Sequence, residues 1–93
     1  MFEQILSQMR DKIRTRQYIM TLHAEEEMDD DSLSIFDVES VILTGEISER
    51  QRDAQTAEWK YLVMGQTLTD SHAAVVGKLG MTGKLVIITV YRE

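Results

Sequence analysis

The 93-residue chain contains no cysteine and no proline. Without cysteine there can be no disulfide, thiol nucleophile or cysteine-held zinc, and any metal would have to rest on His, Asp or Glu. No apolar run approaches the roughly 18 residues of a membrane span. The opening stretch "MFEQILSQMRDK" lacks the basic start and apolar block of a secretory signal, so a cytoplasmic location is expected. No repeat and no linker divides the chain, and the reading is one domain over residues 1–93: an N-terminal helix in 1–17 and a core in 18–93.

Another absence is local. Residues 23–49 hold no basic side chain and ten acidic ones, whereas residues 1–22 carry four basic and two acidic, and residues 50–93 six basic and four acidic. The formal net charge of −6 therefore comes from one central block between two mildly basic flanks. A polyanion is disfavoured at the block but not at the flanks.

What is present divides the chain into helices first and strands later. In "FEQILSQMRDKIRTRQ", Phe2, Ile5, Leu6, Met9 and Ile13 fall at helical spacing, with late cations suited to the negative end of the helix dipole. "YIMTL" is short and β-prone and reads as an extended connection. Thr21 suits an N-cap for a helix from about His23 to Asp29. Ser34 with Asp37 resembles a capping box, Ile35, Val38, Val41 and Ile42 share one face, and Gly45 is expected as a left-handed stop, which predicts a helix over 35–44. "EISERQRD" is a polar edge strand. "AEWKYLVMG", with Trp59, Tyr61 and Val63 on one face, "HAAVVGKL" and "KLVIITVYRE" are three further strands, the last two joined by the turn "GMTG". The expected fold is α+β, with N-terminal helices packed on one face of a four-stranded antiparallel sheet and the other face open.

"HAEEEM", a helix ending in "TGE", "KYLVMG" and a terminal "VIITVY" occur in an order and spacing that resembles the bacterial domain of unknown function 4258 family, from about Tyr18 to Arg92. The resemblance implies a RelE-like fold, related to metal-independent ribonuclease toxins of toxin–antitoxin pairs, with RNA on the exposed sheet face and an antitoxin-like protein as partner. The family pattern after the histidine is typically "HARERM"; here glutamates stand in place of its arginines, and each exchange of a cation for an anion removes phosphate-binding capacity.

Chemistry of that kind needs a base for a ribose 2′-OH, cations for the developing charge and an acid for the leaving 5′-oxygen. His23, with Glu26 and Glu27 three and four residues on, is the candidate base. Its bland alternative is a capping histidine. Tyr91 is the candidate acid, and Thr89 an orienting hydroxyl on the same strand face. Lys60 and Arg92 are the candidate phosphate clamp, with His72 a further RNA contact or second acid–base member. Trp59 and Tyr61 either stack on bases or pack in the core. His23, Glu26, Glu27 and His72 form a poor metal set, "DDDSLS" has Ser34 where a calcium loop needs glycine, and neither a metal nor a cofactor is implied. The expected function is a toxin-type endoribonuclease or a degenerate relative. The alternatives are a non-catalytic protein-binding or homodimerising module and a metal-dependent hydrolase.

Overall fold

The computed structural model describes residues 1–93. Three helices precede most of the sheet: α1 (Glu3–Arg14), α2 (Leu22–Asp30) and α3 (Ile35–Thr44). The strands are β1 (Tyr18–Met20), β2 (Glu46–Arg52), β3 (Trp59–Gln66), β4 (His72–Leu79) and β5 (Leu85–Arg92). The sheet is five-stranded and mixed, in the order β1-β5-β4-β3-β2. This corrects the expected four antiparallel strands. "YIM" is a strand in its own right, pairing parallel to β5 with Tyr18 opposite Leu85 and Met20 opposite Ile87. A parallel pairing across more than sixty residues leaves no local turn to announce it.

α1 and α3 bear on one face of the sheet, and α2 lies at its β5 edge with Ala24 and Met28 turned to the same core. Leu6, Met9 and Ile13 of α1 and Val38, Val41 and Ile42 of α3 meet Tyr61, Val63, Val75, Leu85, Ile87 and Val90 in a single core. Burial of these side chains, at ~25 cal/mol per Å² of apolar surface, is the main stabilising term. Tyr18 adds a polar tie: its hydroxyl donates to the Glu39 carboxylate of α3, and burial together with that carboxylate pushes the phenol up to about 12. No helix is long and apolar enough to cross a membrane.

The α3 start is as its residues dictate. Ser34 Oγ accepts the Asp37 N–H at 3.1 Å, and Asp37 Oδ2 accepts the Ser34 N–H at 2.9 Å. Its end is different. Gly45 sits at φ −92°, ψ −173°, an extended conformation open to any residue, so it is no left-handed stop. Glycine is required there by proximity, because an added Cβ would lie 2.4 Å from the Met64 carbonyl oxygen. Arg10 completes this end by donating to the carbonyls of Ile42 (3.1 Å) and Gly45 (2.8 Å), a cation where the helix dipole is negative. The left-handed glycine is Gly83, φ +85°, in the β4–β5 turn.

The capping box gives a pH-dependent prediction. The Ser34 N–H above all, and the Leu68 N–H after it, hold the Asp37 carboxyl below its ordinary value. Between the folded and unfolded values the unfolded chain binds more protons, so the contribution of Asp37 is full above the unfolded value and disappears as pH falls through the folded one. Ser34→Ala is expected to lower unfolding free energy by ~1 kcal/mol at neutral pH. Asp37→Asn should remove this part of the acid sensitivity, which urea midpoints measured from pH 7 to pH 3 would show.

Candidate functional site at the β5 edge

β5 is covered along its outer edge in two stages. β1 pairs with it as far as Ile87, and the chain then turns at Thr21, whose N–H donates to the Ile87 carbonyl (3.0 Å) and whose hydroxyl donates to that of Ile88 (3.2 Å). α2, capped by the Thr21 hydroxyl accepting the Ala24 N–H, runs on beside the rest of the strand. Ala24 and Met28 turn to the core, while Glu27 and Asp31 turn to the strand edge. Glu27 Oε1 accepts the Val90 N–H at 3.2 Å, and Asp31 Oδ2 accepts the Arg92 N–H at 2.8 Å. The pairing is a match of periods: four helical residues advance ~6 Å and two strand residues ~6.6 Å. Part of the acidic block is thus the acceptor row that satisfies an otherwise open sheet edge.

His23 is one helical turn before Glu27, between the Thr21 and Glu27 contacts and, by the same match of periods, abreast of Ile88. Its Nε2 lies 3.2 Å from Glu27 Oε1, the same oxygen that receives the Val90 N–H, and its side chain is 66 % exposed. Both Glu26 and Glu27 are spaced to reach the imidazole, and the strand edge selects Glu27. No three His, Asp or Glu side chains converge as a metal site.

Thr89 and Tyr91 reach the open face through an irregularity. Val76 pairs with Thr89 and Gly77 with Ile87, leaving Ile88 as an extra residue in β5. Strict alternation would put Leu85, Ile87, Thr89 and Tyr91 on one face. The bulge reverses the phase, so Leu85, Ile87 and Val90 enter the core while Thr89 and Tyr91 point away from the helices. Bulges of this kind re-aim side chains and are enriched beside active sites.

The remaining candidates scatter. His72 is exposed and two residues from Ala74, which pairs with Tyr91, so it shares the open face beside that tyrosine. Lys60 also faces outward, but four residues along β3 from Met64, the partner of Ala74. Its backbone is therefore about 16 Å from that of Tyr91, too far for both to serve one phosphate. Arg92 turns back to α2, donating from Nε and Nη2 to the Asp31 carbonyl at 3.2 and 3.1 Å. That is the far end of the helix, about 12 Å along its axis from His23. Trp59 and Tyr61 lie on the helix side of the sheet; Tyr61 is buried edge-to-face against Phe2 (5.9 Å, 68°), and Trp59 stays partly exposed at the rim.

The structure therefore brings His23 to Glu27 at the Ile88–Val90 edge of β5, places Thr89, Tyr91 and His72 on the open face, and leaves Lys60 and Arg92 apart. The family model described as Domain of unknown function (DUF4258) matches residues 20–92, which takes in all of these positions and leaves out α1. Neither a curated protein nor a solved structure matches the chain.

Proposed function

The chain belongs to the DUF4258 family, and on that premise we propose that it is a metal-independent endoribonuclease of the RelE-like, toxin type, acting on RNA laid over the open sheet face. One observation carries the reading: an exposed imidazole held through Nε2 by a carboxylate that is itself anchored to the strand bearing Thr89 and Tyr91. In this mechanism His23 Nδ1 takes the proton of a ribose 2′-OH, the 2′-oxygen forms a bond to the adjacent phosphorus, and the phosphorus–O5′ bond breaks. Tyr91 gives its proton to the departing 5′-oxygen, and the product is a 2′,3′-cyclic phosphate with a free 5′-hydroxyl. Glu27 orients the imidazole and stabilises the imidazolium. The Thr89 hydroxyl positions the phosphate. An antitoxin-like protein would silence the enzyme by covering the same face.

A second reading, a non-catalytic protein-binding module on the same scaffold, is favoured by the occupation of the Arg92 guanidinium at the α2 carbonyls, which leaves the Tyr91 end of β5 without a free arginine. Incubating the purified protein with single-stranded RNA in excess chelator separates the two. Fragments ending in cyclic phosphate are expected from the enzyme. Intact RNA at stoichiometric protein, alongside a stable homodimer or protein complex, would leave only the module.

A further inference from the structure

The strand register sorts charge along the strand axis. One end of the sheet is the row Tyr18, Leu85, Leu79, Trp59 and Arg52, and Arg16, Lys84, Lys60 and Lys78 lie at or beside that row. The opposite end holds Glu46, Asp70, Asp31 and Glu93. The chain's net negative charge thus hides a basic rim at the end farthest from the α2 C-terminus.

Within that rim, Arg50 and Arg52 project from the helix-side face of β2 towards Trp59 on β3. Their guanidinium carbons lie 3.8 and 4.7 Å from the centre of the indole ring. Neither guanidinium has a carboxylate within ion-pairing distance. The nearby acids are committed elsewhere: Glu49 accepts from Gln51 on the other face of β2, Glu58 pairs with Lys78 at 3.6 Å, and Asp53 accepts the N–H groups of Gln55 and Thr56. Stacking holds a guanidinium against the ring and consumes none of its five N–H donors, which remain free for phosphate oxygens. Trp59 itself is 38 % exposed. Two unpaired, pre-positioned arginines on a partly exposed aromatic ring are the elements with which proteins hold single strands, phosphates on the cations and a base against the ring.

We propose that Arg50, Arg52 and Trp59 form a second RNA-contact site, separate from the His23 centre, that holds the phosphates and one base of the single strand whose scissile bond lies at β5. This rests on the ribonuclease reading for the identity of the ligand. Thr89 is opposite Val76, which is opposite Leu62, and Trp59 is three residues from Leu62 along β3. Their backbones are therefore about 14 Å apart in the sheet but on opposite faces, so the strand passes from one to the other round the end of β3, where Lys60 faces outward. The rim offers the strand an approach that avoids the acidic end.

Trp59 is the single tryptophan of the chain, so its fluorescence reports this site alone. The experiment titrates the His23→Ala protein, and wild type in parallel, with a single-stranded oligoribonucleotide of about ten nucleotides and with its all-deoxy counterpart, which has no 2′-OH to cleave. Saturable quenching by both oligomers, in both proteins, is expected. The Arg50→Ala/Arg52→Ala double variant should bind at least ~10-fold more weakly, and the slope of log affinity against log salt should shrink by about 1.4, at ~0.7 per lost phosphate contact on a single strand. The Arg50→Lys/Arg52→Lys protein keeps the charges and guards against a folding artefact: it should retain the salt slope and lose part of the quenching. Unquenched tryptophan at saturating RNA, an unchanged affinity in the alanine double variant, or equal quenching by inorganic polyphosphate would each overturn the proposal. Loss of this binding with cleavage intact removes the second site alone. Binding intact with no cleavage in wild type removes the catalytic reading instead.

Discussion

Gly65→Ala is expected to lower the unfolding free energy by about 3 kcal/mol or more, the upper end for forcing an extra methyl into a rigid contact. A Cβ at this position would sit 2.3 Å from the Val41 carbonyl oxygen and 2.8 Å from the Gly45 Cα. Both neighbours are backbone, one in the last turn of α3 and one at its exit, so no side-chain rotation can relieve the clash. The approach is also locked from either side. Ser40 Oγ donates to the Gln66 carbonyl at 2.7 Å, and Thr44 Oγ1 accepts the Gln66 N–H at 3.1 Å. Relief requires α3 to lift from β3, which would open the core at Val38, Val41 and Ile42. Gly83→Ala is the comparison: nothing lies within 4 Å of its added methyl, and only the left-handed φ of +85° is penalised, for ~1 kcal/mol. Urea denaturation of the two variants measures the difference. A Gly65→Ala protein within ~1 kcal/mol of wild type would show that α3 does not press on β3 as described.

His23→Ala is expected to reduce RNA cleavage ~10²- to 10⁴-fold, the span ordinarily supplied by a positioned base, while leaving the unfolding midpoint unchanged, because the side chain is mostly exposed and its one partner, Glu27, keeps the Val90 N–H. Glu27→Ala separates orientation from chemistry. It frees the imidazole and also leaves the Val90 N–H without its acceptor, so activity falls and stability drops by ~1–3 kcal/mol. Single-turnover cleavage rates and urea midpoints on the same preparations test both halves. Full cleavage by His23→Ala would remove the base assignment. Equal stability of Glu27→Ala and wild type would remove the account of the acidic helix as an edge cover.

The features legible in the residues are those whose causes are local. Ser34 and Asp37 are three apart and cap α3 by their own hydrogen bonds. The apolar spacing of Leu6, Met9 and Ile13 marks the buried side of α1. Alternation in "WKYLVMGQ" sets Tyr61 and Val63 on one face, and that face is the buried one. Other features depend on groups far along the chain. "YIM" has only three residues, and its strand character comes from β5, which supplies the pairing. Gly45 and Gly65 follow from each other and from Val41, a closeness no spacing reveals.

The candidate site divides in the same way. The chemistry of an imidazole followed by carboxylates one turn on was evident in "TLHAEEEMDDD", as was the shared face of Thr89 and Tyr91. That Glu27 is the carboxylate used, that Asp31 belongs to the strand edge and that Arg92 is drawn to the α2 carbonyls were set by α2 lying along β5. Taken alone, the sequence determined the three helices and the four later strands, the buried faces of the helices and the sign of charge in each third, because side-chain size, periodicity and local hydrogen bonds act within a few residues. Only the tertiary structure decided which face Thr89 and Tyr91 present, through one unpaired residue at Ile88. The position of a bulge is an agreement between two strands about register, and a single strand read by itself does not contain its partner's half of it.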